Sequence, residues 1–455
     1  MGKKIKAVAA TGNLSTGFRE ESLVRAVEQG AHFVGCDGGS TDSGPYYLGS
    51  GNPRGPRQGV KRNLGLILRE SLRAGIPAII GTAGHAGGRP HLQWAVEIVR
   101  ELARENGWHF KLASIDSEID PGTLVDALRK DQIKPLSPAP PFNEEVIRQG
   151  QRFVAMMGIE PIQSALASGA QMVIAGRCSD VAIYAALPVM QGIPKHVAFH
   201  AGKILECGAA SVSQRLYADC MAAELDENGF TVEPPNPELR CTPQSVAAHT
   251  LYENADPYML VEPGGRLDTT AATYEAVSDR AVRVEGGQFV PANYTVRIEG
   301  AALAGYRSIV IAGIRDPLIL GQLDHFLSSL HSAVERKIGD NLAPPPGAYT
   351  LNFRVYGRDG TLGPLEPNPK LEGHEIGLII DVVASSQELA SDILPLVWHS
   401  GLHHPIPEYQ GLISNFAFPF SPPGVDVGAV YRFCANHVWE LDDPCAPFRT
   451  TWETF

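Results

Sequence analysis

The sequence has no apolar run approaching the roughly 20 residues a helix needs to cross a bilayer. Nor does an apolar core follow its basic start, "MGKKIKAVAATG", as a secretory leader would require. No membrane partner is expected, and the start reads as a first β-strand. Positive charge is also short. Lys and Arg number 38 against 50 Asp and Glu, a net charge of −12, which excludes nucleic acid as a partner because phosphate binding needs a concentrated basic surface. Cysteine is scarce, 7 in 455 residues, odd in number, scattered, and without a Cys-x-x-Cys pair. That usage fits reduced thiols in the cytoplasm. The strand–helix Gly-x-Gly-x-x-Gly, the P-loop, the Gly-x-Ser-x-Gly elbow and His-Glu-x-x-His are all missing. No redox cofactor is expected, and no internal repeat or low-complexity tract occurs.

What is present is an alternation. "IKAVAATGN", "AHFVGCDGG", "IPAIIGTAGHAGG", "FKLASIDSEID" and "AQMVIAGRCSD" are apolar runs that stop abruptly at Gly or a small polar residue. Between them lie the helical patterns "FREESLVRAVEQG", "GVKRNLGLILRESLRAG", "HLQWAVEIVRELARENG" and "EEVIRQGQRFVAMMG", several closed by a C-terminal Gly. Strands alternating with helices predict an α/β fold: a doubly wound, mostly parallel, Rossmann-like sheet over residues 1–340, with a loop-rich insertion around 207–300. After the break "DNLAPPPGAY" the pattern changes, and "YTLNFRVYGRDG", "EIGLIIDVVASS", "QELASDILPLVWHSGLHH" and the last strand "AVYRFCANHVWEL" predict a smaller C-terminal α+β domain over 345–455.

In a parallel sheet the loops after the strands share one edge, where ligands bind. The polar strand ends therefore converge on one crevice, and their side chains are the candidate machinery. Asp37, His85 and Asp180 are the acid/base candidates; Cys36 and Cys178 are candidate acid/base thiols or soft ligands. Ser40, Thr41, Thr82, Gly84 and Ser179 offer hydroxyls and backbone N–H groups to a substrate. Arg177 would clamp a carboxylate or phosphate through its planar fork, beside the N-terminus of a helix starting near Ser179 or Asp180. Asp37 and Asp180 could equally be helix caps, the cysteines small core residues, and Arg177 a fastener pairing with Asp37 or Asp42. "KILECGAAS" follows the apolar "HVAFHAG", read as a strand, so Glu206 and Cys207 form a second wall, with Glu206 an acid/base group of raised pKa. A divalent cation is left open as a ligand of the carboxylates; His399, His403 and His404 in "HSGLHH" are a second metal candidate, although a helix C-terminus favours His anyway.

"AGRCSDVAIYAALP", "HAGKILECGAAS", "CDGGSTDSGPYYLGSG", "GTAGHAGGRPHLQW", "RCTPQSVAAHTLYENADPY", "QFVPANYTVRIEGA" and "FRVYGRDG" together resemble the acyclic terpene utilisation (AtuA-like) family, once a domain of unknown function. The similarity spans nearly the whole chain. It implies a part in the catabolism of branched terpenoid acids handled as CoA thioesters, and, since relatives of this branch tend to accompany a small companion protein, a hetero-oligomer; a homo-oligomer is expected otherwise. More distant relatives share mainly the elements Gly176–Asp180 and Glu206–Ala209 and carry His where this chain has Lys203.

Two functions fit these residues. One is a lyase, hydratase or isomerase moving a proton beside the carbonyl of a small carboxylic acid or its CoA thioester, chemistry that needs only acid/base groups and oxyanion donors. The other is a non-catalytic ligand-binding subunit. An enclosed cavity with His85 or a carboxylate beside Arg177 marks the first, and a shallow cleft with a large apolar interface the second.

Overall fold

Five short, almost wholly buried runs form the centre of the computed structural model, which describes residues 3–408 and 414–455. They are β1 (Ile5–Ala9), β2 (Phe33–Asp37), β3 (Ala78–Gly81), β4 (Lys111–Asp116) and β5 (Met172–Ala175), parallel throughout in the order β1-β2-β3-β5-β4. Continuous apolar sequence is what a strand covered on both faces demands. Val8, Val34, Ile80 and Ile174 pack on one face against α1 (Glu20–Glu28), α2 (Arg57–Ala74) and α3 (Arg89–Asn106). Ala7, Phe33, Ile79 and Val173 pack on the other against α4 (Ile159–Ala167), α5 (Asp180–Met190) and α6 (Lys195–Leu205).

Antiparallel strands extend this core on both sides, so the sheet of ten strands is mixed. Met221–Leu225 lies along β1, and Arg449–Thr454 along β4. The segment expected as a loop-rich insertion is therefore strand-rich. It holds Met221–Leu225, Gly229–Glu233, Thr273–Ala276 and Val282–Glu285 in the large sheet, and a small sheet of Met259–Glu262, Gly265–Asp268 and Gln288–Pro291. Strands of four or five residues joined by tight turns, such as the one at Gly264 (φ +81°), give too few alternations to register as a pattern.

Two further elements depart from expectation. "HVAFHAG" belongs to helix α6, nearly every residue of which is buried; burial all round removes the amphipathic stripe, and a short apolar run then reads equally as strand. "EEVIRQGQRFVAMMG" is a short helix, Glu144–Gln149, and a strand, Arg152–Ala155, broken at Gly150.

The chain divides into one unit of residues 1–302 with 433–455 and another of residues 303–432. In the second unit, residues 306–314 pair with Ile376–Ala384, which pairs with Tyr349–Tyr356. Helices Leu323–Leu342 and Gln387–Leu402 cover that sheet over Val310, Phe326, Leu330, Ile380 and Ile393. The Pro-rich break expected to separate domains at about 345 is the link between the first of these helices and the strand after it. "AVYRFCANHVWEL" is a strand, but Arg449–Thr454 follows it. Among the described residues no helix is long and apolar enough to cross a membrane.

Candidate active site

The loops beyond β2, β3 and β5 are bound to one another by their backbones: Gly38 N–H donates to Gly81 O at 2.8 Å and Ala83 N–H to Ala175 O at 3.0 Å. Close approach requires glycine at 81, where a Cβ would lie 2.6 Å from Cys178 Sγ. The sheet edge so formed gathers Asp37, Thr82, Arg177, Cys178 and Asp180, with Glu206 from the end of α6. Ser40 is apart, on a surface turn where its hydroxyl donates to Asp42.

Arg177 is buried, and its Nε and Nη1 are engaged by protein groups. Nε donates to Glu299 Oε2 at 2.7 Å, and Nη1 to the carbonyl of Cys178 at 3.3 Å. Thr41 Oγ1 donates to the other Glu299 oxygen at 2.9 Å. Burial opposes both charges, but each overcomes it for the other: Glu299 is held below the usual carboxylate range and Arg177 firmly charged. Arg177 thus fastens loops, through a partner that was neither Asp37 nor Asp42.

Thr82 and His85 share one tight loop with positive φ, +42° and +98°, where an L-residue is strained; between them Gly84 (φ +64°) packs against His91. His85 is buried, its Nε2 is 2.5 Å from Ser43 Oγ, and burial with the nearby Arg54 lowers its pKa to about 4. It is neutral at pH 7. The thiols are also fixed in one state. Burial pushes Cys178 up to about 12, and drives Cys36 and Cys207 well upward too, with neighbouring carboxylates adding to it. Burial thus favours the protonated thiol over the thiolate at all three.

A chamber of about 470 Å³ opens beside α5 and α6. Its polar lining includes Ser179, Asp180, Lys203, Glu206, Glu253, Glu262 and Arg297, and its apolar lining includes Met156, Val181, Leu260 and Val438. Neither Arg177 nor His85 lines it. Ser179 is the N-cap of α5 and donates its hydroxyl to Glu262 at 2.5 Å. Lys203 Nζ donates to Glu206 Oε1 at 2.6 Å. Arg177 Nη1 is 3.8 Å from Asp180 Oδ1, beyond hydrogen-bonding distance, and that buried oxygen accepts no hydrogen bond. Asp37 Oδ1 is in the same condition, and burial with Asp180 nearby raises its pKa well above normal.

Burial likewise raises Asp180 to about 6, Glu262 to about 7 and Glu206 to about 8. Their attraction to Arg177 or Lys203 only partly offsets the loss of water. Among the described residues no three His, Cys, Asp or Glu side chains are arranged to hold a metal ion; in the second candidate cluster His404 Nε2 is 2.8 Å from Ser329 Oγ. Sequence reasoning missed Glu262, Glu299 and Lys203 as site residues. Lys203 is a charged residue in an otherwise largely apolar, buried helix, and that mismatch is a signal that could have found it; Met259, Leu260 and Val261 are half-buried or exposed and Thr295–Ile314 carries a second charge at Arg297, so Glu262 and Glu299 had no such signal.

A family model described as acyclic terpene utilisation family protein AtuA matches residues 57–406, well over half of the chain. No curated protein and no solved structure matches it.

Proposed function

Because the chain belongs to the acyclic terpene utilisation family AtuA, we propose that it is a catabolic enzyme of the lyase, hydratase or isomerase type, moving a proton next to the carbonyl of a small branched carboxylic acid or its CoA thioester. The observation that carries this reading is the convergence of Asp180, Glu206 and Glu262, each with its proton affinity raised into the neutral range, on one chamber that Met156, Val181, Leu260 and Val438 also line. General acid–base catalysis is most effective when the pKa lies near the working pH. Asp180, with one oxygen free of hydrogen bonds, is the base; Glu262, on the Ser179 hydroxyl, returns the proton. The apolar lining receives the branched chain. Helices on both faces of the five parallel strands support a doubly wound, Rossmann-like reading of the sheet, and seven reduced cysteines support a cytoplasmic site of action.

The test is proton exchange. A branched acid and its CoA thioester are incubated with the protein in D₂O, and the signal of the C–H beside the carbonyl is followed by NMR. The wild type is expected to wash deuterium into one of them, and Asp180→Asn to slow this about a hundredfold. Exchange at the same rate in Asp180→Asn would remove the assignment.

A further inference from the structure

Proton transfer by the carboxyls leaves the buried cation of the chamber without a task. Lys203 sits in the last turn of α6, is 4% exposed, and turns its ammonium into the chamber. We propose that Lys203 forms an imine with the ketone carbon of a branched keto acid, so that the small carboxylic acid of this pocket carries a ketone and is handled as the free acid, not as its thioester. The inference rests on reading the chamber as the catalytic pocket.

Three features support it. First, the charged groups facing the chamber are Asp180, Glu206, Glu253 and Glu262 against Lys203 and Arg297; an acidic enclosure stabilises a cation, and a protonated imine keeps the positive charge of the lysine at the same place. Second, Glu206 lies 2.6 Å from the amine, and burial makes it a better proton acceptor than a surface carboxylate. Third, a ketone or aldehyde is the carbonyl that a lysine can bind reversibly. With a thioester the same attack would expel the thiol and leave an amide, ending the enzyme's turnover.

The step balances without an oxidant or reductant. In the molecules whose Glu206 is ionised, the ammonium of Lys203 gives a proton to that carboxylate, and the freed lone pair adds to the carbonyl carbon. The carbon–oxygen π electrons go to oxygen, which takes a proton from the Glu262 carboxylic acid. The nitrogen returns a proton to Glu262. Glu206 then protonates the hydroxyl, which leaves as water while the nitrogen lone pair closes the carbon–nitrogen double bond. One ammonium and one carbonyl become one protonated imine and one water.

Borohydride trapping tests this on the unmodified protein. The protein is incubated with methyl isobutyl ketone, or with ketoisocaproate as its keto-acid counterpart, reduced with sodium borohydride, digested and weighed by mass spectrometry. The expected result is one adduct per chain, on the peptide containing Lys203, with a mass gain equal to the probe less its carbonyl oxygen. Lys203→Arg, which keeps a cation for Glu206 but cannot form an imine, should show no such adduct while its melting temperature stays near wild type. No adduct with either probe in the wild type, or the same adduct yield in Lys203→Arg, overturns the proposal. Should Asp180-dependent exchange occur without an adduct, the imine fails and the proton-transfer reading stands; an adduct on Lys203 without that exchange separates the two the other way.

Discussion

Arg177 and Glu299 face each other at 2.7 Å, each with 5% or less of its side chain exposed, and they join the loop after β5 to the strand Thr295–Ile314. A substrate anion would have to displace Glu299 to bond with Nε of Arg177. Removing the carboxylate leaves a buried charge without its partner, which costs roughly 3–5 kcal/mol. Glu299→Gln should therefore lower the unfolding free energy by about 3 kcal/mol in denaturant titration. Arg177→Lys keeps the charge but loses the fork, and should lose stability before it loses ligand affinity. An unchanged denaturation midpoint with weakened ligand binding would restore Arg177 as a clamp.

The acids of the chamber make stability pH-dependent in a defined direction. Burial lifts Glu206 and Glu262 to about 8 and about 7 in the folded state, from an ordinary carboxylate value of 4.5. Between those values and 4.5 the folded state binds more protons than the unfolded state, so stability falls as pH rises across this window. Glu262→Gln, which cannot ionise, should lose less melting temperature than wild type between pH 5 and pH 8 (about the limits of this window) in a thermal-shift series. A steeper loss in the variant would contradict the burial argument.

The thiols should be silent in the folded protein. Burial keeps Cys178 protonated up to about 12 and raises Cys36, Cys207 and Cys220 as well. Alkylation with iodoacetamide at neutral pH should leave all four intact until the chain is unfolded, when all seven cysteines react. Rapid native labelling at Cys178 would show a thiolate there after all.

His85 tests whether the loop after β3 is strained. Its φ of +98° suits glycine, so His85→Gly and His85→Ala lose the same contact with Ser43 but differ in backbone cost. The alanine variant should be less stable than the glycine variant by about 1–2 kcal/mol. Equal stabilities would mean that the loop relaxes.

The five parallel strands were legible as short apolar runs that stop at Gly or a small polar residue, and the helices Glu20–Glu28, Arg57–Ala74 and Arg89–Asn106 because each repeats its apolar face; Gly75 and Gly107 close the last two as left-handed caps. The edge that gathers Asp37, Thr82, Cys178 and Asp180 followed from the parallel order alone. The chamber did not. Glu262 arrives from a four-residue strand in a region that read as loop, and Lys203 from a helix that read as strand, so neither could be placed beside Asp180. Nor could the partner of Arg177 be foreseen, because Glu299 is 122 positions away and no local pattern links them.

The strand Arg449–Thr454 completes the edge of β4 only after residues 303–432 have been made. On the ribosome, the first unit therefore waits with β4 uncovered while about a quarter of the chain is still emerging. An exposed strand edge invites pairing with a neighbouring nascent chain. Slower translation through the second unit should therefore increase aggregation of the unfinished chain, and pulse-chase solubility measurements would check this.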